Sequence, residues 1–182
     1  MKDAELRETV ISREQLFRGK ILDVQKWTVR LPDGGEALRE VALHKGAAAV
    51  VPVDADGCTY LVRQYRVPFD EILTEIPAGK LDFEGEDRLD AAKRELREET
   101  GFSADKWTHL TDMVSSPGFT NELIGIYMAE GLKSGQTDPD EDEFLELVKM
   151  PLSEAAALAR AGKFTDAKTI IGLLLADACL SI

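Results

Sequence analysis

Seven consecutive residues without a polar side chain, Ala47–Val53 (AAAVVPV), suit a strand buried inside a sheet. DADG follows as a turn, and TYLVRQYR then reads as a second strand. Further strands are expected around HLTDMV, LIGIYMA and EFLELVKM. Ahead of the apolar run, Ile21–Leu31 and Glu36–His44 flank PDGG, a strong hairpin signal. Helical spacing occurs three times. Arg88–Thr100 places Leu89, Ala92 and Leu96 on one stripe, with Gly101 as its stop. SEAAALARAG offers Ser153 as a cap and Gly162 as a terminator, and Asp166–Leu180 forms a last helix capped by Thr165. Strands alternating with helices predict an α/β or α+β layered domain rather than a bundle. Residues 1–45 read as a β-rich appendage to a main domain over 46–182. An appendage of that size buries little core alone, so it is expected to pack on the main domain or on a second subunit.

The chain has 182 residues, 44% of them apolar, enough for a packed core. Its net charge of −12 argues against a general nucleic-acid or anionic-membrane surface, both of which reward clustered Lys and Arg. A small anionic substrate stays allowed, because a bound cation inverts the local charge. Cys58 and Cys179 lie far apart and are expected as reduced, packed thiols. MKDAELRETV has no secretory apolar run, and TIIGLLLADACL is too short and interrupted to span a bilayer. These features predict a soluble, cytoplasmic protein.

The stretch RELREETGF poses a problem of charge. On a helix, Glu95, Glu98 and Glu99 share one face near the C-terminus, where the dipole is already negative. A solvated face with Arg94 and Arg97 as counter-charges is one answer. A missing divalent cation is the other. The surrounding order is an apolar residue, a Pro-Ala-Gly turn, an acidic loop and then the glutamate helix. Oxygen ligands without nearby His or Cys suit Mg²⁺ or Mn²⁺ bound jointly with substrate phosphates.

Ile76–Phe102 resembles the signature box of the Nudix hydrolases, which cut nucleoside diphosphates linked to another group. That pattern is Gly, five residues, Glu, seven residues, then Arg-Glu-apolar-x-Glu-Glu-x-Gly-apolar. Here Gly79, Glu86, Arg94, Glu95, Leu96, Glu98, Glu99, Gly101 and Phe102 occupy the places, with six residues, KLDFEG, in the first gap. The extra residue falls in a loop, where insertions cost least. The resemblance implies an α/β/α sandwich with a mixed central sheet. It also implies Glu95 and Glu99 as main metal ligands, with Glu98 added directly or through water. The backbone carbonyl of Ala78 would be a further ligand, and Arg94 would pair with Glu86 to hold the loop on the helix.

VRQYR, LTEIPAGKL, SSPGFTNE, DPDEDEFLEL and DAKTIIGLLLA, in that order, resemble the subgroup acting on ADP-ribose and other nucleoside diphosphate sugars. By that resemblance Glu141 would be the general base and Glu143 a metal ligand, with Asp142 open to either role. Arg66 suits either a diphosphate, whose oxygens match its fork, or a surface ion pair. Arg39 has the same two readings, diphosphate or solvated strand. Trp27 suits stacking on a nucleobase or plain packing. Glu75 either contacts substrate or metal water, or alternates outward from its strand. The expected reaction is metal-assisted hydrolysis of a diphosphate bond with Mg²⁺ or Mn²⁺, in a homodimer with exchanged or packed N-terminal strands. Alternatives are dinucleoside polyphosphates or NADH as substrate, or a non-catalytic nucleotide sensor.

Overall fold

The computed structural model of the chain describes residues 5–137 and 144–181. Packing divides it into two compact units. One runs up to Gly46 and takes in Val114–Glu122; the other comprises Ala47–Met113 and the chain from Leu123 onward.

The first unit is an antiparallel sheet of β1 (Thr9–Arg18), β2 (Asp23–Arg30) and β3 (Glu36–Leu43), in that spatial order. β2 and β3 are the hairpin expected around PDGG, in unbroken register from Asp23↔Leu43 to Arg30↔Glu36. The outer strand β1 is exposed along its whole length. Val114–Glu122 joins this unit through an Ala42↔Thr120 bridge and a 2.7 Å bond from the His44 N–H to Asn121 Oδ1.

The second unit is built around β4 (Ala47–Val53), every residue of which is buried. Strand β5 is Cys58–Arg66, β6 is Glu71–Glu75, β7 is Ala78–Lys80, β8 is Phe102–Val114, β9 is Leu123–Ser134 and β10 is Glu146–Pro151. The spatial order is β10-β5-β4-β9-β8, with β6 paired to β5 and β7 to β4. β4 runs parallel to β9 but antiparallel to β5 and β7, so the sheet is mixed.

Side chains alternate across a strand, and both faces of β4 need cover. Ala48 and Val50 pack with Ala91, Ala92 and Leu96 of α1 (Arg88–Thr100). Ala49, Val51 and Val53 pack with Ala155 of α2 (Leu152–Arg160) and with Leu173 and Ala176 of α3 (Ala167–Leu180). The expected layered α/β fold, helix on each face of a mixed sheet, is the observed one. Pro52 fits centrally because β4 changes partner there. The Val50 N–H bonds Pro77 at 2.8 Å and the Asp54 N–H bonds Cys58 at 2.9 Å, and the position between them on that edge needs no donor.

Two helix starts differ from the sequence expectation. α2 begins directly at the end of β10, with Pro151 as its boundary and no side-chain cap, so Ser153 lies inside the first turn. α3 is capped by Asp166 rather than Thr165, its carboxylate accepting the Thr169 N–H at 2.9 Å. A carboxylate is the better cap here because it also opposes the positive helix end. Cys58 is half-buried and Cys179 exposed, so only the first is packed. Among the described residues, no helix is long and apolar enough to cross a membrane.

Candidate active site

α1 is terminated at both ends by its own sequence. Asp87 accepts the Leu89 and Asp90 N–H groups at 2.9 and 3.2 Å, and Gly101 takes the left-handed conformation, φ 74°, as its C-cap. Seating Ala91, Ala92 and Leu96 against β4 turns the adjoining face toward the β6–β7 turn, Ile76–Gly79. Glu95 and Glu99, one helical turn apart, therefore point inward and are each only 8% exposed. The solvated-face reading does not describe these two glutamates. Glu98, beside them, is partly exposed.

The Pro-Ala-Gly turn is shaped around those carboxylates. The Ala78 N–H donates to Glu99 Oε2 at 3.1 Å. A Cβ on Gly79 would lie 2.0 Å from Glu95 Oε1, so only glycine leaves room for that carboxylate. Arg94 ties the loop, turn and helix together. It donates to Glu95 Oε1 at 2.6 Å, to Glu98 Oε2 at 3.1 Å and to the Lys80 carbonyl at 3.1 Å. It also pairs with Asp82 at 3.3 Å and with Glu86 at 3.7 Å. Burial opposes its charge, but Glu95, Glu98 and Asp82 outweigh burial and raise its pKa. The extra loop residue is absorbed in a turn with Gly85 at φ 84°, and Glu86 still accepts the Asp82 N–H at 2.6 Å.

Glu75, at the end of β6, is 3% exposed and does not alternate outward. Arg66 grips it as a fork, Nε at 2.7 Å and Nη2 at 2.9 Å, and Lys168 of α3 donates to the same carboxylate. Burial alone would raise the Glu75 pKa; Arg66 and Lys168 instead lower it from 4.5 to about 2. Because the folded value is depressed, the stabilisation is present above about pH 4.5 and fades as pH falls toward about 2. Glu75→Gln is therefore expected to lower the melting temperature at neutral pH and to flatten its decline across that acid window. Unchanged curvature in melting temperature against pH would contradict this.

Arg39 and Trp27 lie in the first unit, opposite one another in the β2–β3 register. Arg39 pairs with Glu8, while Trp27 donates to Gln25 Oε1 at 2.8 Å beneath the Arg13 guanidinium, 4.6 Å from its ring centre. Glu141, Asp142 and Glu143 lie outside the described residues. Within the second unit, a cleft of about 520 Å³ opens beside Glu99 between Arg63, Tyr65, Ile72 and Phe144, a size suited to a small ligand. The sequence reading missed Lys168. Its one signal was the Asp-x-Lys-Thr start of α3, which places a lysine just inside an acidic cap.

Residues 43–171 match the family model of the NUDIX domain. The chain belongs to the Nudix family. It is 41% identical over 166 residues to an ADP-ribose pyrophosphatase of Bacillus subtilis (strain 168), covering 90% of this chain and 89% of that protein. It is also 39% identical over 168 residues to a methanol dehydrogenase activator of Bacillus methanolicus, covering 91% and 90%. A crystal structure of an ADP compounds hydrolase superposes with a TM-score of 0.84 at 26% identity, covering 97% of this chain and 96% of that one. This is a hydrolase of the Nudix type, and Nudix hydrolases generally require a divalent metal.

The donor chemistry at the Pro-Ala-Gly turn fits such an ion. Two buried carboxylates face one turn, and carboxylate oxygens are hard donors of the kind such an ion takes. Among the described residues, no three acidic, His or Cys side chains are gathered closely enough to hold an ion alone. Backbone, water or substrate oxygens, or a side chain outside the described residues, would complete the shell, as is usual for Mg²⁺.

Proposed function

We propose that this Nudix hydrolase cleaves the diphosphate bond of nucleoside diphosphate sugars, turning ADP-ribose into AMP and ribose 5-phosphate. The observation that carries the reading is the burial of Glu95 and Glu99 side by side against a turn shaped by Ala78 and Gly79. The names of the Bacillus subtilis pyrophosphatase and of the ADP compounds hydrolase support the substrate class.

Glu95, Glu99 and the Ala78 carbonyl would hold Mg²⁺, or Mn²⁺ in its place, with Glu98 reached through water and Glu143 as a further ligand. Once bound, the ion supplies charge neutralisation at the phosphate oxygens and a lowered pKa for the attacking water. Arg94 holds Glu95 and Glu98 in orientation through one guanidinium. The water oxygen bonds to one phosphorus as the bond from that phosphorus to the bridging oxygen breaks. Glu141, or Asp142 in its stead, accepts the proton of the water. Arg66 presents Nη1, which its pair with Glu75 does not use, to the diphosphate. Arg39 and Trp27 would be further substrate residues; in the first unit Arg39 pairs with Glu8 and Trp27 lies under Arg13.

A substrate panel of ADP-ribose, GDP-mannose, NADH and diadenosine polyphosphate tests the reading. Sugar-linked diphosphates are expected to be cut fastest; preference for NADH or the dinucleotide would move the reaction elsewhere in the family. Binding of all four without turnover would make the protein a sensor.

The homodimer belongs to the same proposal. Ten exposed residues of β1 include Val10, Ile11, Leu16 and Phe17 on an outer strand, an edge that a second copy would cover. Light scattering is expected to give twice the chain mass. A fully active monomer would contradict it.

A further inference from the structure

The turn that offers Ala78 and Gly79 to the metal site is held from its other side by the first turn of α3. The Ile76 N–H donates to Thr169 Oγ1 at 2.9 Å, in a position where Thr169 is wholly buried. The hydroxyl is oriented, because it gives its own proton to Asp166 Oδ2 and so turns a lone pair toward Ile76. One residue earlier along the turn, Glu75 accepts from Lys168, whose ammonium also reaches Asp166 Oδ1 at 3.1 Å. Two residues later, the Ala78 N–H bonds Glu99 at 3.1 Å. Four residues of β6 and the turn, Glu75–Ala78, are thus pinned by α3 at one end and by a metal-site glutamate at the other.

We infer that Thr169 and Lys168 are positioning residues of the metal site, acting through the Ile76–Gly79 turn, and that α3 sets where Ala78 and Glu99 meet the ion. The inference rests on the metal-dependent reading given above. The physical basis is that an oriented acceptor and a buried ion pair fix a turn more tightly than packing does, and the turn has little freedom between Ile76 and Ala78. Thr169→Val keeps the shape but removes the acceptor of a buried N–H, while Thr169→Ser keeps the acceptor. Lys168→Met removes the charge at a less enclosed place, and Lys168→Arg restores it.

The test is Mn²⁺ binding to the pure protein without substrate, followed by electron paramagnetic resonance, alongside metal-activation curves with ADP-ribose and thermal melts. Thr169→Val and Lys168→Met are expected to weaken Mn²⁺ binding by ~10-fold or more, the scale of lost outer-shell partners, with recovery in Thr169→Ser and Lys168→Arg. If Thr169→Val does not fold, Lys168→Met carries the same expectation. Folded variants that bind Mn²⁺ as the unaltered protein does would overturn the inference while leaving the hydrolase reading intact. An unaltered protein that neither binds Mn²⁺ nor cuts ADP-ribose would overturn both.

Discussion

Glu99→Gln is expected to lower kcat for ADP-ribose by on the order of 10³-fold, about 4 kcal/mol of transition-state stabilisation. The substitution separates charge from structure. A glutamine keeps the length of the side chain and still offers a carbonyl oxygen to the Ala78 N–H, now 3.1 Å from Glu99 Oε2. What disappears is one of two buried carboxylates facing the Pro-Ala-Gly turn. Without added metal the fold should persist, because the glutamine keeps the bond to Ala78. The added metal should no longer stabilise the variant as it does the unaltered protein. Activity within about threefold of the original at saturating Mg²⁺ would remove Glu99 from the ligand set.

Gly79→Ala is expected to cost on the order of 10²-fold in kcat, the scale of an ångström-sized misplacement at a reacting centre. The new Cβ would stand 2.0 Å from Glu95 Oε1 and 2.1 Å from its Cδ. The end of a glutamate side chain moves aside cheaply, so the fold should survive. Moving it displaces a proposed metal ligand and breaks its 2.6 Å bond from Arg94, and the cost is therefore expected to fall on the reaction. The signature is a rightward shift of the metal-activation curve with little change in the melting temperature. A variant that loses stability in proportion to activity would instead mark Gly79 as a packing residue.

Much of this architecture was legible because single elements carried unambiguous patterns. The wholly apolar run at β4 announced a strand covered on both faces, and the stripe of Ala92 and Leu96 beside three glutamates placed α1 with its stop at Gly101. β1 was not legible. TVISREQLFR lacks a clean period of two, and its pairing with β2 is interrupted by register shifts after Val10 and Gln15. The α3 cap was misplaced by one residue because Thr165 and Asp166 are both good caps, and only the tertiary demand of Lys168 and Thr169 separates them. At the site, the spacing of glutamates revealed the helix face, whereas the engagement of Glu75 by Lys168 joins residues ninety-three positions apart and has no local signal. Arg66 lies between these cases. Its fork geometry suggested an anion, and the structure pairs it with a buried carboxylate while its Nη1 stays outside that pair.

The most direct test of the central claim is product analysis on metal-stripped protein. ADP-ribose would be incubated with the protein in EDTA, then with excess Mg²⁺, and the products resolved by ion-exchange chromatography. No turnover is expected in EDTA, and AMP with ribose 5-phosphate in equal amounts once Mg²⁺ is restored. Equal turnover with and without the metal, or release of products other than these two, would contradict it.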